Sequence, residues 1–125
     1  MKAIRGATTV TADTPEQIRS AVKELLMAIK EQNKLSEQDI LFILFSNTGD
    51  IRSLYPAKAA REAGFAQAAL FSAAEPDIEG GLKLCIRVML LVENCFEVRH
   101  VYLHGPANLR KDLKKFAIAL DGPSG

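Results

Sequence analysis

Tryptophan, long apolar runs and an excess of charge of one sign are all missing from this chain. Its 16 basic and 15 acidic residues leave a formal net charge of +1 over 125 residues. A chain with so little net charge has no strong overall electrostatic potential, so it is a poor partner for nucleic acid or for an anionic membrane surface. No apolar run approaches the roughly 18 to 20 residues that a transmembrane helix needs, and the N-terminus lacks the apolar segment of a signal peptide. We therefore expect no nucleic-acid partner and no membrane partner.

Cysteine and histidine are scarce, with two of each, which leaves little material for a metal site or a nucleophile. Cys85 and Cys95 lie in or beside an apolar segment without CxxC spacing, so we predict free core thiols of a cytoplasmic protein. His100 and His104 straddle the end of a predicted strand and do not share a face as they would on a helix. No serine lies in a GxSxG or SxxK context. We expect no metal and no cofactor.

The residues that are present suit one globular domain. With 48% hydrophobic and 25% charged residues, a chain of this length buries about two thirds of its unfolded surface. We predict a single domain over residues 1–113 and a C-terminal tail over 114–125 that can be flexible.

Apolar spacing predicts five strands and two helices in the order βαβαβββ. The strands are expected at residues 2–11, 39–47, 67–73, 83–92 and 98–103, and the helices at 15–33 and 57–63. Thr14, Pro15 and Gln17 form a strong helix start. This order gives an α/β (α+β) fold, a mixed five-stranded sheet with two helices packed on one face. Because residues 40–45 and 84–92 are apolar on both faces, another subunit should cover the second face.

Arg87 interrupts the apolar run at residues 84–92. A guanidinium keeps its charge, and burying it unpaired is costly, so something anionic should face it. That partner is either Glu75 or Asp77 of the protein, or a ligand. Arg5 is likewise an arginine within a predicted strand, and small residues follow it to the end of that strand. Two strand arginines and a glutamate after a strand favour a pocket for a small acid.

Four blocks of sequence resemble the trimeric α/β class of monofunctional chorismate mutases. They occur in the family's order and at matching separations. The blocks are IRGATTV at 4–10, YPAKA with Arg61 at 55–61, GGLK and CIRVM at 80–89, and RHVYL at 99–103.

This resemblance implies a fold and a reaction. Three five-stranded sheets would pack into a pseudo α/β-barrel, a homotrimer with active sites between subunits. The reaction would be the Claisen rearrangement of chorismate to prephenate, in cytoplasmic phenylalanine and tyrosine biosynthesis. A pericyclic rearrangement needs no proton transfer, metal or cofactor, so the enzyme works by orienting its substrate and stabilising developing charge.

The resemblance also implies roles for individual residues. Arg87 would be the cation beside the ether oxygen of the substrate, and Glu75 would accept a hydrogen bond from its ring hydroxyl. Arg5 and Tyr102 would bind its carboxylates. Three further groups would line the pocket: Phe71, Ser72, Ala73 and Ala74; then Tyr55, Ala57, Lys58 and Arg61 from the neighbouring subunit; and Leu109 and Arg110, which would close over it. Ser72 stands where relatives can carry cysteine.

Two other functions remain open from the residues alone. Trimeric enamine/imine deaminases have a related topology and size, but their Asn-rich motif after the last strand is missing here. A non-enzymatic sensor of an anionic metabolite could use the same arginines. An assay for chorismate disappearance separates these functions.

Overall fold

A computed structural model describes residues 1–109 and 117–118 of the chain. The strands are β1 (Lys2–Thr9), β2 (Ile40–Asn47), β3 (Ala69–Ala74), β4 (Cys85–Val92), β5 (His100–Tyr102) and β6 (Ala117–Ile118). The helices are α1 (Pro15–Gln32), α2 (Pro56–Glu62) and α3 (Gly105–Leu109), and a 3-10 turn covers Glu37–Asp39. In this part of the chain no helix is long and apolar enough to cross a membrane.

The strands form one mixed sheet in the order β3-β2-β4-β1-β5-β6. Strand β4 lies between β1 and β2 and runs antiparallel to both, whereas β3 pairs in parallel with β2 and β5 with β1. The five predicted strands and two predicted helices are confirmed, with ends that differ by a few residues. The two-residue β6 and the short α3 were not predicted, since neither is long enough to show a period.

Helix α1 begins as its sequence predicts. The backbone N–H of Gln17 donates to Thr14 Oγ1 at 3.2 Å, and Pro15 occupies the first turn, where no N–H partner is needed. The Gln17 side chain does not close a capping box but accepts from the backbone N–H groups of Thr11 and Ala12. The helix buries all five of the apolar residues that predict it, which are Ile18, Val22, Leu25, Leu26 and Ile29.

Alternate strand residues face the helices and form the core. Ile4, Ile43, Phe45, Ile86 and Leu90 are all at most 1% exposed. Helix α1 lies so close to β1 that a Cβ on Gly6 would stand 2.8 Å from Ile29 Cδ1. The opposite face of the sheet, here called the open face, leaves Phe71 61% and Met89 41% exposed.

Candidate active site

Strand β4 places Arg87 on the open face of the sheet. Its cross-strand partners are Ala7 on β1 and Ser46 on β2, and such partners share a face of the sheet. Its neighbours Ile86 and Val88 point to the core. The Arg87 side chain is 40% exposed, so the guanidinium is not buried as its apolar run suggested. Strand alternation sends Ile86, Val88 and Leu90 to the core and leaves Arg87 on the open face with Met89.

Glu75 is the protein's anionic partner for Arg87. It follows directly after β3, where its backbone N–H donates to Asn47 O at 3.3 Å. Arg87 Nε donates to Glu75 Oε2 at 3.2 Å, and Ser46 Oγ donates to Glu75 Oε1 at 2.5 Å. The glutamate side chain is 20% exposed. Arg87 is therefore both paired within the protein and open to a ligand.

Arg5 and Tyr102 lie on the same face as Arg87. Arg5 is opposite Met89 on β4, and Ala7 is opposite Tyr102 on β5. The backbone N–H of Arg5 donates to His100 Nδ1 at 2.9 Å. A cavity of about 280 Å³ brings these residues together, lined by Arg5, Gly6, Leu44, Ser46, Arg87, Val88, Met89 and Tyr102. The structure thus brings Arg5, Arg87 and Tyr102 to one cavity, and their contacts with a substrate stay a prediction.

A larger cavity of about 790 Å³ adjoins the first one at Arg87. Its walls are residues 75–83, which follow β3, and the turn after β2 with Thr48, Asp50 and Arg52. Arg87 belongs to both cavities, and Glu75 lines the larger one. The charged pair therefore stands where the two cavities meet.

The predicted residues of β3 divide between the two faces. Phe71 and Ala73 are opposite Leu44 and Ser46, which lie on the open face. Ser72 is opposite Phe45, whose side chain is in the core. The register turns the Ser72 side chain away from Arg87, and its contact with substrate stays a prediction. Ala74, opposite Asn47, is the last residue before Glu75.

The predicted residues at the start of α2 line neither cavity of this chain. Tyr55 is 74% exposed, and Lys58 and Arg61 are exposed as well, while Ala57 is partly buried. Within one chain they are not brought to Arg87, so the predicted role of these four residues requires a neighbouring chain. Leu109 ends α3, and Arg110 lies outside the described residues.

Ser46 is a residue of the site that the sequence did not indicate. It shares a face of β2 with Leu44 and holds the carboxylate of Glu75. Its only sequence signal is a polar residue two positions after Leu44, at the end of an apolar run. That signal gains meaning only once β2 is known to lie beside β4.

The available groups favour binding and charge stabilisation over nucleophilic chemistry. Burial raises the pKa of the Cys85 thiol, which keeps it protonated and weakly nucleophilic. Cys85 and Cys95 are both buried free thiols, as predicted. Over residues 1–109 and 117–118, no group of three or more His, Cys, Asp or Glu side chains could hold a metal ion. The two adjoining cavities, together called the cleft, offer among their polar groups the guanidinium groups of Arg5 and Arg87, the Glu75 carboxylate, the Ser46 hydroxyl and the Tyr102 phenol.

Comparison with known proteins gives concordant results. The family model of chorismate mutase type I matches residues 1–113. Chorismate mutase AroH of Bacillus subtilis (strain 168) is 43% identical over 117 residues, which cover 90% of this chain and 92% of that protein. Chorismate mutase AroH of Thermus thermophilus is 41% identical over 118 residues, covering 91% and 97%. A solved chorismate mutase from Clostridium thermocellum superposes with a TM-score of 0.82 at 40% identity, covering 86% of this chain and 99% of that one.

Proposed function

This chain belongs to the chorismate mutase type I family and is a chorismate mutase, an isomerase, and we propose that it rearranges chorismate to prephenate in the cleft over Arg87. The observation that carries the proposal is the guanidinium of Arg87, which is held by Glu75 and remains 40% exposed in that cleft. The reaction breaks a C–O bond and forms a C–C bond in one concerted step. It needs a preorganised surface rather than an acid, a base or a cofactor.

Arg87 stabilises the charge that develops on the ether oxygen. As the C–O bond breaks, this oxygen becomes partly negative, and a fixed cation beside it lowers the barrier. The bond to Glu75 uses the Nε–H group, one of the five donors of a guanidinium. The terminal N–H groups are then the ones that face the ether oxygen.

Glu75 both fixes Arg87 and accepts a hydrogen bond from the ring hydroxyl of chorismate. Each of its oxygens has one donor in the protein, Ser46 Oγ or Arg87 Nε. An ionised carboxylate offers about four lone-pair sites, so an acceptor position remains for a substrate hydroxyl. Ser46 supports this role because its short bond orients the carboxylate.

Arg5 and Tyr102 bind the carboxylates of the substrate. They line the same small cavity as Arg87, so a dianion bound there meets two guanidinium groups and a phenol. A guanidinium presents a planar fork of donors to a carboxylate, which fixes orientation as well as position. Holding the flexible substrate in its compact reactive conformer is worth several orders of magnitude in rate.

The second wall of the cleft comes from a neighbouring chain in a homotrimer. Support comes from the open face, where Phe71 and Met89 are exposed beside the cleft, since a lone soluble chain rarely leaves such a surface uncovered. Tyr55, Ala57, Lys58 and Arg61 of the neighbour then complete the site. Lys58 and Arg61 add positive charge for the dicarboxylate substrate.

The cellular role follows from the reaction. Prephenate leads to phenylalanine and tyrosine, so the protein acts in aromatic amino-acid biosynthesis. Its two free buried thiols are typical of a reducing compartment, in keeping with the cytoplasm.

One assay tests the proposed activity directly. The purified protein is mixed with chorismate in the presence of excess chelator, and the loss of chorismate absorbance is followed. We expect a rate far above that of buffer alone and prephenate as the product. A rate equal to the buffer rate would overturn the assignment and leave the enamine/imine deaminase and the anionic-metabolite sensor as the alternatives.

A further inference from the structure

The turn after β2 is hydrogen-bonded to Leu84, the residue that precedes β4. Both carboxylate oxygens of Asp50 accept from the backbone N–H of Leu84, at 2.9 and 3.1 Å. Thr48 Oγ1 donates to Asp50 Oδ1 at 2.5 Å and accepts from the backbone N–H of Cys85 at 2.9 Å. The Thr48 backbone N–H donates to Cys85 O at 3.0 Å. We call Thr48, Asp50 and their bonds to residues 84–85 the β4 clamp.

The β4 clamp acts on a backbone in an unfavourable conformation. Leu84 has φ 50, in the left-handed region where the Cβ of an L-residue is crowded. Both of its backbone polar groups are hydrogen-bonded to distant segments. The N–H donates to Asp50, and the C=O accepts from the Val10 N–H at 2.9 Å. Leu84 stays in this conformation because the surrounding bonds over-determine it.

This conformation decides where Arg87 points. At Leu84 the chain turns from the loop that follows Glu75 into β4, and Arg87 comes three residues later. Side chains alternate between the faces of a strand, so a slip of one residue would turn Arg87 into the core. A smaller shift would still move the guanidinium relative to Glu75.

We propose that Asp50 is a positioning residue of this enzyme, which acts through the left-handed backbone of Leu84 to set the register of β4 and the place of Arg87. Asp50 lies on the wall of the same large cavity as Arg87 and Glu75. The inference rests on the proposed role of Arg87.

The same two strands supply a matched control at their other end. Asp39 also accepts three hydrogen bonds, from Ser36 N at 2.9 Å, Ser36 Oγ at 3.0 Å and Asn94 Nδ2 at 2.9 Å. Asn94, at φ 59, is likewise left-handed. Asp39 therefore also joins the regions of β2 and β4, here through the Asn94 side chain and at the end of the strands away from Arg87.

The test compares Asp50→Ala with Asp39→Ala in the assembled enzyme. Asp50→Ala should lower kcat by about tenfold to a hundredfold, the range expected when a charged group moves by a fraction of an ångström to one ångström. KM should change much less than kcat, because Arg87 acts mainly in the transition state. Asp39→Ala should lose a similar amount of unfolding free energy and keep kcat. Equal kcat losses in the two variants, or none in Asp50→Ala, would overturn the proposal.

A second pair of variants tests the route through Leu84. Glycine adopts a positive φ without steric cost, so Leu84→Gly added to Asp50→Ala should recover part of the lost kcat. Asp50→Asn keeps one acceptor oxygen and should fall between the wild type and Asp50→Ala, and it also serves if Asp50→Ala does not fold. A double variant no faster than Asp50→Ala would show that Asp50 does not act through Leu84.

Amide exchange separates failure of this inference from failure of the role of Arg87. The Leu84 N–H should exchange faster in Asp50→Ala and at the wild-type rate in Asp39→Ala. If Leu84 exchanges faster while kcat stays at its wild-type value, the positioning role is wrong. An Arg87→Ala enzyme with wild-type kcat would instead remove the role on which the inference rests, and the inference falls with it.

Discussion

At the scale of single residues, Arg87 combines a fixed position with access to a ligand. It has an anionic partner in the protein, Glu75, and its side chain is still 40% exposed. Its two nearest cross-strand neighbours, Ala7 and Ser46, are small, which leaves room above the guanidinium. A cation that is fixed in place and accessible is what stabilisation of a developing oxyanion requires.

Replacing Arg87 tests this role. Arg87→Ala should lower kcat by about a hundred- to a thousandfold, the usual loss for one donor to a developing charge, and should raise KM less. Arg87→Lys keeps a charge but loses the planar fork, so it should recover only part of the rate. Steady-state kinetics of both variants, with circular dichroism to confirm folding, give the answer. A folded Arg87→Ala enzyme with wild-type kcat would contradict the role.

At the scale of elements, tight packing of α1 against β1 and hydrogen bonds to aspartate side chains in the turns hold the sheet and its helices together. Helix α1 touches β1 at Gly6, where a Cβ would meet Ile29 Cδ1 at 2.8 Å, Val101 O at 3.1 Å and Val88 Cγ2 at 3.2 Å. At the ends of the elements, Asp13, Asp39 and Asp50 each accept several hydrogen bonds from turn residues. Packing sets the distance between layers, and the carboxylates fix the turns.

Enlarging Gly6 should crowd Ile29 Cδ1 of α1 and the backbone carbonyl oxygen of Val101. Gly6→Ala is expected to cost about 1 to 3 kcal/mol of unfolding free energy, the range for overpacking a core. Adding Ile29→Val removes the clashing methyl group and should recover part of that loss. Gly49→Ala is the control, since a Cβ there meets nothing within 4 Å. Urea unfolding curves measure all three, and a Gly6→Ala protein as stable as Gly49→Ala would contradict the close contact.

Stability should fall in acid because of the turn carboxylates. The Ser53 backbone N–H lowers the pKa of Asp13, the Asn94 side chain lowers the pKa of Asp39, and the Thr48 hydroxyl lowers the pKa of Asp50, each from the ordinary value of 3.8. A lowered folded pKa contributes stability above 3.8 that is lost as the pH falls through the folded pKa. Urea midpoints measured across this window should fall with the pH, and less steeply in Asp39→Asn. The same slope in both proteins would show that Asp39 contributes nothing.

At the scale of the whole molecule, the open face is the face of the sheet that helices α1 and α2 leave uncovered. It carries the cleft together with exposed Phe71 and Met89, while α1 and α2 cover the other face. Tyr55, Lys58 and Arg61 are exposed and line neither cavity. The proposed homotrimer with shared sites would account for both observations, because it would cover the apolar surface and bring these residues to the cleft.

Mixed trimers test whether two chains share each site. Arg61→Ala and Arg87→Ala should each impair a homotrimer, since every cleft then lacks one of its proposed cationic side chains. When the two variants are refolded together, some clefts combine an intact Arg87 with an intact Arg61 and should regain activity. Light scattering should report about three chains of 13.7 kDa for every species. A monomer, or mixtures no more active than the average of their parents, would show that each site is built within one chain.

The sequence by itself determined the local elements and most of the candidate residues. Thr14, Pro15 and the apolar spacing after them define α1, because capping and helical period are local properties. Arg87 was found because a charge in an apolar run needs an anionic partner, and Glu75 was among the residues proposed for it. Arg5 was found by the same kind of pattern in the first predicted strand, and the four sequence blocks then added Tyr102.

Only the tertiary structure decided how the strands are ordered and which side chains meet. The sheet order β3-β2-β4-β1-β5-β6 and its register come from pairing between distant segments, which no local pattern encodes. That register brings Ser46 to Glu75 and turns Ser72 toward the core side. It also brings Asp50 to Leu84, 34 residues away. Bonds of this kind depend on the position of strands far apart in the chain, and so they appear only in the folded molecule.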